Sequence, residues 1–89
     1  MEARDVKVKR LAMRSMRRGI KEMDLILSAF ANEHLASLSD ANLALYDQLL
    51  SENDHDLYSW VSGQNTAPEI YGDLLREIKN GAHGLTRPN

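Results

Sequence analysis

The chain has 89 residues, a formal net charge of −2, a hydrophobic fraction of 43% and no cysteine. This length allows one domain, with too little chain for both a core and a separate cofactor-binding fold. The lack of cysteine excludes a disulfide framework, thiolate metal sites and cysteine catalysis. No apolar run approaches the roughly 18 residues that a membrane-spanning helix requires.

Positive charge is concentrated at the start of the chain. Residues 1–22 contain eight Lys/Arg and three Asp/Glu, a net charge of +5, whereas residues 23–89 contain three and ten, a net charge of −7. Two interpretations stay open: this basic segment docks on the acidic remainder or stays solvated, or it binds an anionic surface such as a nucleic acid. The pI of about 5.9 makes the nucleic-acid signal weak. The basic positions at helical spacing are Lys7, Arg10, Arg14, Arg17, Arg18 and Lys21.

Apolar residues at three-to-four spacing predict helices along the chain. The first helix is predicted over residues 4–17, and the second from Ile20 to about Leu35. Gly19 interrupts the apolar pattern between them, and glycine inside a helix costs about 1 kcal/mol relative to alanine. We therefore expect a junction between two helices at this glycine.

Cap and turn residues delimit two further helices. Ser39 is predicted to cap the third helix, and Asn53 or Asp54 the fourth, because their side-chain oxygens accept bonds from free backbone N–H groups. Gly63 is predicted to end the fourth helix, in which Trp60 is expected to pack in the core. The apolar positions of the two helices are Leu43, Tyr46, Leu49, Leu50, Leu57, Trp60 and Val61.

A fifth helix is predicted after the sequence TAPE. Thr66 and Glu69 have the spacing of a capping box, and Pro68 suits a first helical turn. Gly81 is predicted to end this helix. Its apolar positions are Ile70, Tyr71, Leu74, Leu75 and Ile78.

These patterns predict the fold class as all-α: a single small domain of five short helices over residues 1–89. We expect an ordered core from about 4 to 80 and a frayed tail over 81–89. A helical repeat array is the rival architecture, but the sequence shows no self-similarity at a period near 34 residues.

Patterns typical of catalytic and metal sites do not occur. None of the three histidines, His34, His55 and His83, has a second ligand at metal-binding spacing. His34 is predicted to be packed or half-buried on the second helix. The five glycines are scattered and form no phosphate-binding loop, and no serine stands in a nucleophile elbow. We therefore predict that the chain is not an enzyme and binds no metal.

Two stretches resemble a known family. RRGIKEMD contains Arg-Gly-x-x-Glu followed by a hydrophobic residue and an aspartate, at Arg18, Gly19, Glu22, Met23 and Asp24. LLSENDHDLYSW resembles a second landmark, at Leu49, Leu50, Asp54, His55, Asp56, Leu57 and Trp60. Together they resemble the SdhE-type succinate dehydrogenase assembly factors, which promote covalent flavin attachment. His55 replaces a common proline, which is expected to loosen the start of the fourth helix, and Asn42 replaces a common acidic residue.

The resemblance implies a five-helix fold and a surface that binds the flavoprotein subunit of succinate dehydrogenase, and often that of fumarate reductase. It implies no stably bound cofactor, because the FAD becomes attached to a histidine of the partner. The partner-binding residues predicted on this basis are Arg17, Arg18, Gly19, Glu22, Asp24, Asp54, Asp56 and Tyr58.

The resemblance also implies roles within this surface. Gly19 is predicted to let another backbone approach closely, with a positive φ as a second reason for glycine. Arg18 is predicted to reach a carboxylate or carbonyl of the partner, and Glu22, one turn later, either to orient that guanidinium or to accept a bond from the partner. Asp24 is expected at the rim. The alternative is that Gly19 only joins two helices and that Arg18 and Glu22 form an exposed pair.

Two other functions stay open: an interaction module of a toxin–antitoxin type system, and a helical domain that binds nucleic acid or an anionic surface. The preferred prediction has no nucleic-acid partner, no membrane insertion and a monomeric state. The short chain with its own Met1 favours a bacterial cytoplasm, and the mitochondrial matrix is the expectation for a eukaryote.

Overall fold

Five α-helices and two 3₁₀ turns form the structure, a computed structural model that describes residues 2–82, with side chains described to residue 81. This confirms the all-α prediction, and residues 2–82 contain no strand. The 3₁₀ turns are Leu35–Ser37 and Glu69–Tyr71. The helices are α1 (Arg4–Arg14), α2 (Lys21–His34), α3 (Asp40–Leu49), α4 (Asp54–Val61) and α5 (Gly72–Ala82).

Helix α2 is the central element of the core and contacts α1, α4 and α5. Its buried side chains Met23, Leu27 and Phe30 belong to one cluster with buried residues from every other helix. Trp60 is half-buried against this core, with its ring centroid 6.0 Å from that of Tyr71. His34 is half-buried as predicted, with 48% of its side chain exposed and its ring centroid 5.3 Å from that of Phe30. The fully buried large side chains of the other helices and of the 3₁₀ turns are Leu11, Leu35, Leu43, Tyr46, Leu49, Leu57, Tyr71, Leu74 and Ile78.

The two predicted side-chain caps are present. Ser39 Oγ accepts the Asn42 N–H at 3.1 Å and begins α3. Asn53 Oδ1 accepts the His55 N–H at 2.8 Å and begins α4, so Asn53 rather than Asp54 is the cap. Proline lacks an N–H and could not donate this bond. His55 thus takes part in the cap, and the expectation that it loosens the start of α4 relative to proline stays a prediction.

Three predicted boundaries are wrong. Helix α1 ends at Arg14 instead of 17, because the backbone turns into the left-handed region at Arg17, where φ is +55°. The capping box at Thr66 does not form, because extended Pro68 precedes a 3₁₀ turn that has no side-chain cap. Helix α5 continues through Gly81 to Ala82. The predicted frayed tail beyond 82 lies outside the described residues.

Candidate partner-binding surface

The junction between α1 and α2 comprises residues 15–20, and its first residue forms two buried hydrogen bonds. Ser15 is fully buried, and its hydroxyl donates to the carbonyl of Leu11 at 2.8 Å. The hydroxyl of Tyr46 lies 2.6 Å from Ser15 Oγ, and because a serine hydroxyl has one proton, Tyr46 is the donor. Burial raises the pKa of Tyr46 to about 12. This chain of bonds anchors the junction to α3.

Arg17 has a backbone conformation that is rare for residues other than glycine. Its φ of +55° places Cβ close to its own carbonyl oxygen, which costs about 1–2 kcal/mol. Asp24 opposes this strain, because its Oδ1 accepts the Arg17 N–H at 3.1 Å. The Ser28 hydroxyl lies 3.2 Å from the same oxygen. The Asp24 carboxylate therefore binds the backbone of the junction, and its predicted position at the rim of the partner interface stays a prediction.

Arg18 is bound within the protein through every nitrogen of its guanidinium. Nε donates to Asp54 Oδ1 at 2.8 Å, and this ion pair leaves 12% of the Arg18 side chain and 19% of the Asp54 side chain exposed. The two terminal nitrogens donate to the carbonyls of Arg14 at 3.0 Å and Leu50 at 3.1 Å. The predicted pairing with Glu22 is wrong, since Asp54, 36 residues away, is the partner.

Gly19 lies against the same aspartate. Its N–H donates to Asp54 Oδ2 at 2.7 Å, and a Cβ added to Gly19 would lie 2.9 Å from that oxygen. Gly63 is the glycine with positive φ in the described residues, so the expectation of a positive φ at Gly19 is wrong. Crowding by an internal carboxylate accounts for the missing side chain.

The basic stripe of the first helix mostly faces the acidic body of the protein. Arg10 pairs with Glu2 at 2.8 Å and with Asp47 at 2.9 Å, and Arg14 also binds Asp47. The Arg10 hydrogen bonds hold the pKa values of both carboxyl groups below their usual range. Because these arginines are paired internally, the docking interpretation of the basic segment is confirmed for them.

No helix in the stretch from residue 2 to residue 82 combines the length and the apolar character that crossing a bilayer demands. The same stretch holds no group of three His, Asp or Glu residues placed to bind a metal ion.

Residues 9–82 match the family described as "Flavinator of succinate dehydrogenase". This match covers most of the chain and includes the whole junction. The chain belongs to this flavinator family.

Curated relatives agree with this assignment. Proteins named "Succinate dehydrogenase assembly factor 2, mitochondrial" are 54% identical over 61 residues in Meyerozyma guilliermondii, 40% over 81 residues in Danio rerio and 46% over 68 residues in Schizosaccharomyces pombe. These alignments cover 68%, 88% and 76% of this chain, and 45%, 51% and 49% of the relatives. The chain therefore spans about half the length of the curated relatives it matches.

The eight predicted partner-binding residues of this flavinator-family chain fall into two groups, those that line a surface depression and those that do not. Arg17, Arg18, Gly19 and Asp54 lie together and line one open depression with Arg14 and Met16. The remaining four lie outside its lining. Tyr58 packs partly against the core, Asp56 is exposed in the first turn of α4, Glu22 is partly exposed, and Asp24 binds the junction backbone.

The sequence did not predict the tertiary contacts that hold the junction of this flavinator-family chain in place. Tyr46 and Asp47 are adjacent on α3, yet one binds Ser15 and the other binds two arginines of α1. These partners are 31 to 37 residues away, so no helical periodicity connects them. The only available signal was the opposite charge of the two parts of the chain.

Proposed function

We propose that this chain binds the flavoprotein subunit of succinate dehydrogenase during assembly and promotes covalent attachment of FAD to that subunit. The observation that carries the proposal is the family match over residues 9–82, since it spans all but the first turns of the described fold and includes the Arg18–Gly19 junction. The depression lined by Arg17, Arg18 and Gly19 supplies an exposed surface for such a partner.

The proposed contribution is to position the partner rather than to catalyse. The bond forms between the flavin ring and a histidine of the flavoprotein subunit, so the chemistry belongs to these groups. Holding the subunit where its histidine and the flavin meet would accelerate that step. The chain would hold no FAD stably itself, and it would leave before the iron–sulfur subunit docks.

The proposal extends to fumarate reductase, whose flavoprotein subunit is a second candidate partner. We propose that the chain acts as a monomer, because the junction surface requires no second copy to complete it. Its place of action would be wherever the flavoprotein subunit matures: the mitochondrial matrix, in line with relatives whose names include "mitochondrial", or the cytoplasm of a bacterium.

In-gel flavin fluorescence of the denatured flavoprotein subunit tests this function, because denaturation removes FAD that is not covalently attached. The band should fade when the gene is deleted and return with the wild-type gene. Gly19→Arg should fail to restore it, since the new side chain fills the depression and displaces Asp54.

Gly81→Arg is the matched control. Gly81 has open space around its Cβ position and lies on α5, outside the junction. This variant makes the same chemical change and should restore the fluorescent band fully. A band that keeps its intensity when the gene is deleted would overturn the proposed function. Full restoration of the band by Gly19→Arg would show that the junction takes no part in this function.

A further inference from the structure

Two adjacent arginines at the junction have opposite environments. The Arg18 guanidinium donates to Asp54 and to the carbonyls of Arg14 and Leu50, and its ion pair with Asp54 leaves 12% of the Arg18 side chain exposed. Arg17 is exposed, and no carboxylate of residues 2–81 forms an ion pair with it. Of the two, Arg17 has the cation available for another molecule.

The backbone of Arg17 is held in the conformation that sets the direction of this side chain. A left-handed residue persists only where its surroundings determine it, and such residues cluster at ligand-binding sites. Here Asp24 supplies the constraint on one side by accepting the Arg17 N–H at 3.1 Å. Asp54 supplies it on the other side by accepting the Gly19 N–H at 2.7 Å.

The neighbouring surface can receive a partner side chain. Met16 precedes Arg17, is 52% exposed, and lines the same depression as Arg17 and Gly19. Met13, one turn before Met16, is 74% exposed. A guanidinium beside flexible apolar side chains suits a partner carboxylate that is flanked by apolar surface, because arginine pairs with carboxylates in a bidentate manner and methionine adapts to irregular contacts.

We infer that Arg17, rather than Arg18, makes the direct ionic contact with a carboxylate of the flavoprotein subunit, and that Asp24 is a positioning residue that holds Arg17 in its left-handed conformation. This inference rests on the proposed function, since it names the contact by which that partner is bound. Arg18 and Asp54 act within the protein and shape the junction.

Affinity of the purified chain for the purified flavoprotein subunit tests the contact. Arg17→Ala should weaken binding about tenfold or more, as expected for the loss of a central arginine at an interface. Alanine disfavours the left-handed region as arginine does, so this substitution changes the side chain without relieving the backbone strain. Lys79→Ala removes an exposed cation from α5 and should leave the affinity unchanged.

A double-mutant cycle separates the positioning role of Asp24 from a direct contact. Asp24→Ala should weaken binding in the wild-type background, and Asp24→Asn should retain most of the affinity because its amide oxygen still accepts the Arg17 N–H. In an Arg17→Gly background, glycine adopts a positive φ freely, so adding Asp24→Ala should have little further effect. An equal loss in both backgrounds would show that Asp24 does not act through Arg17.

The outcomes distinguish this inference from the proposed function. If the wild-type chain fails to bind the subunit, both are overturned. If wild type binds and Arg17→Ala binds equally well, the proposed function stands and the Arg17 contact is overturned. The amide hydrogen exchange of Arg17 in the free chain gives a second readout, and it should become faster in Asp24→Ala.

Discussion

Asp47 and Asp54 both bind arginines of the basic segment, but their environments differ. Asp47 on α3 pairs with Arg10 and Arg14, and the three side chains are between 29% and 39% exposed. Asp54 at the start of α4 pairs with Arg18, which is 12% exposed, and also accepts the Gly19 N–H. The first cluster joins two helices, whereas the second determines the shape of a loop.

This difference shows which ion pair matters for the proposed surface. Exposed pairs contribute about 0–1 kcal/mol because water and salt screen them, whereas removing one member of a buried pair leaves a costly unpaired charge. Asp54 also binds a backbone N–H, so its loss changes the backbone of the junction and not only a side chain. We therefore expect Asp47 to affect stability alone and Asp54 to affect both stability and function.

Asp54→Ala should have the largest effect. The mostly buried guanidinium of Arg18 loses its counter-ion, and we expect the free energy of unfolding to fall by about 2–3 kcal/mol. For a domain of this size, that lowers Tm by roughly 10–20 °C in a thermal melt. Asp54→Asn keeps an acceptor for the Gly19 N–H and should lose less. A change below 0.5 kcal/mol in Asp54→Ala, about the scatter of neutral surface substitutions, would contradict the importance of this pair.

Tyr46, next to Asp47 on α3, should make the free energy of unfolding decrease at alkaline pH. Its folded pKa is about 12 and its unfolded pKa about 10, so its contribution is fully present below pH 10. Between pH 10 and 12 the unfolded state loses the proton first, and stability should fall by up to about 2–3 kcal/mol. Urea unfolding at pH 9, 10 and 11 measures this loss.

Tyr46→Phe is the control for the alkaline measurement. It has no phenol to titrate, so part of the decrease above pH 10 should disappear. Burial and the hydrogen bond to Glu52 also raise the pKa of Tyr71, and Tyr71→Phe should therefore remove a further part. An unchanged alkaline slope in Tyr46→Phe would show that its hydroxyl is not buried as the structure describes.

Asp47→Asn should have a smaller effect of about 1 kcal/mol at neutral pH, because its arginine partners keep access to water. The Arg10 hydrogen bond lowers the pKa of Asp47, so its contribution is present above the unfolded value of about 3.9 and is lost as the pH falls through the folded value. The stability difference between wild type and variant should therefore narrow below pH 4 in urea titrations. Binding to the flavoprotein subunit should not change at neutral pH.

Gly19→Ala should have the smallest effect on stability. The new Cβ would lie 2.9 Å from Asp54 Oδ2, so this carboxylate, which ends a flexible side chain, must move away. We expect a loss of about 0.5–1 kcal/mol, as for strain at one hydrogen bond. A loss of more than 3 kcal/mol would show that the carboxylate cannot move. Gly81→Ala, in open space on α5, should not destabilise the protein.

Local sequence signals predicted most of the helical framework. The Ser39 and Asn53 caps and the apolar stripe of α2 were all predicted from the residues themselves, because capping and helical periodicity act over a few positions. The boundary predictions failed at Arg17 and Pro68, where the backbone departs from the helical region. Tertiary bonds from Asp24 compensate for the first departure, and no local pattern encodes them.

The sequence by itself determined the five helices, their apolar faces and the family to which the chain belongs. Only the tertiary structure decided which arginine is available at the junction. The counter-ion of Arg18 is Asp54, 36 positions away. The chain must therefore fold before Arg18 is paired with this carboxylate and differs from the exposed Arg17. Helical spacing treats the two arginines alike, whereas burial and a shared carboxylate give them different roles.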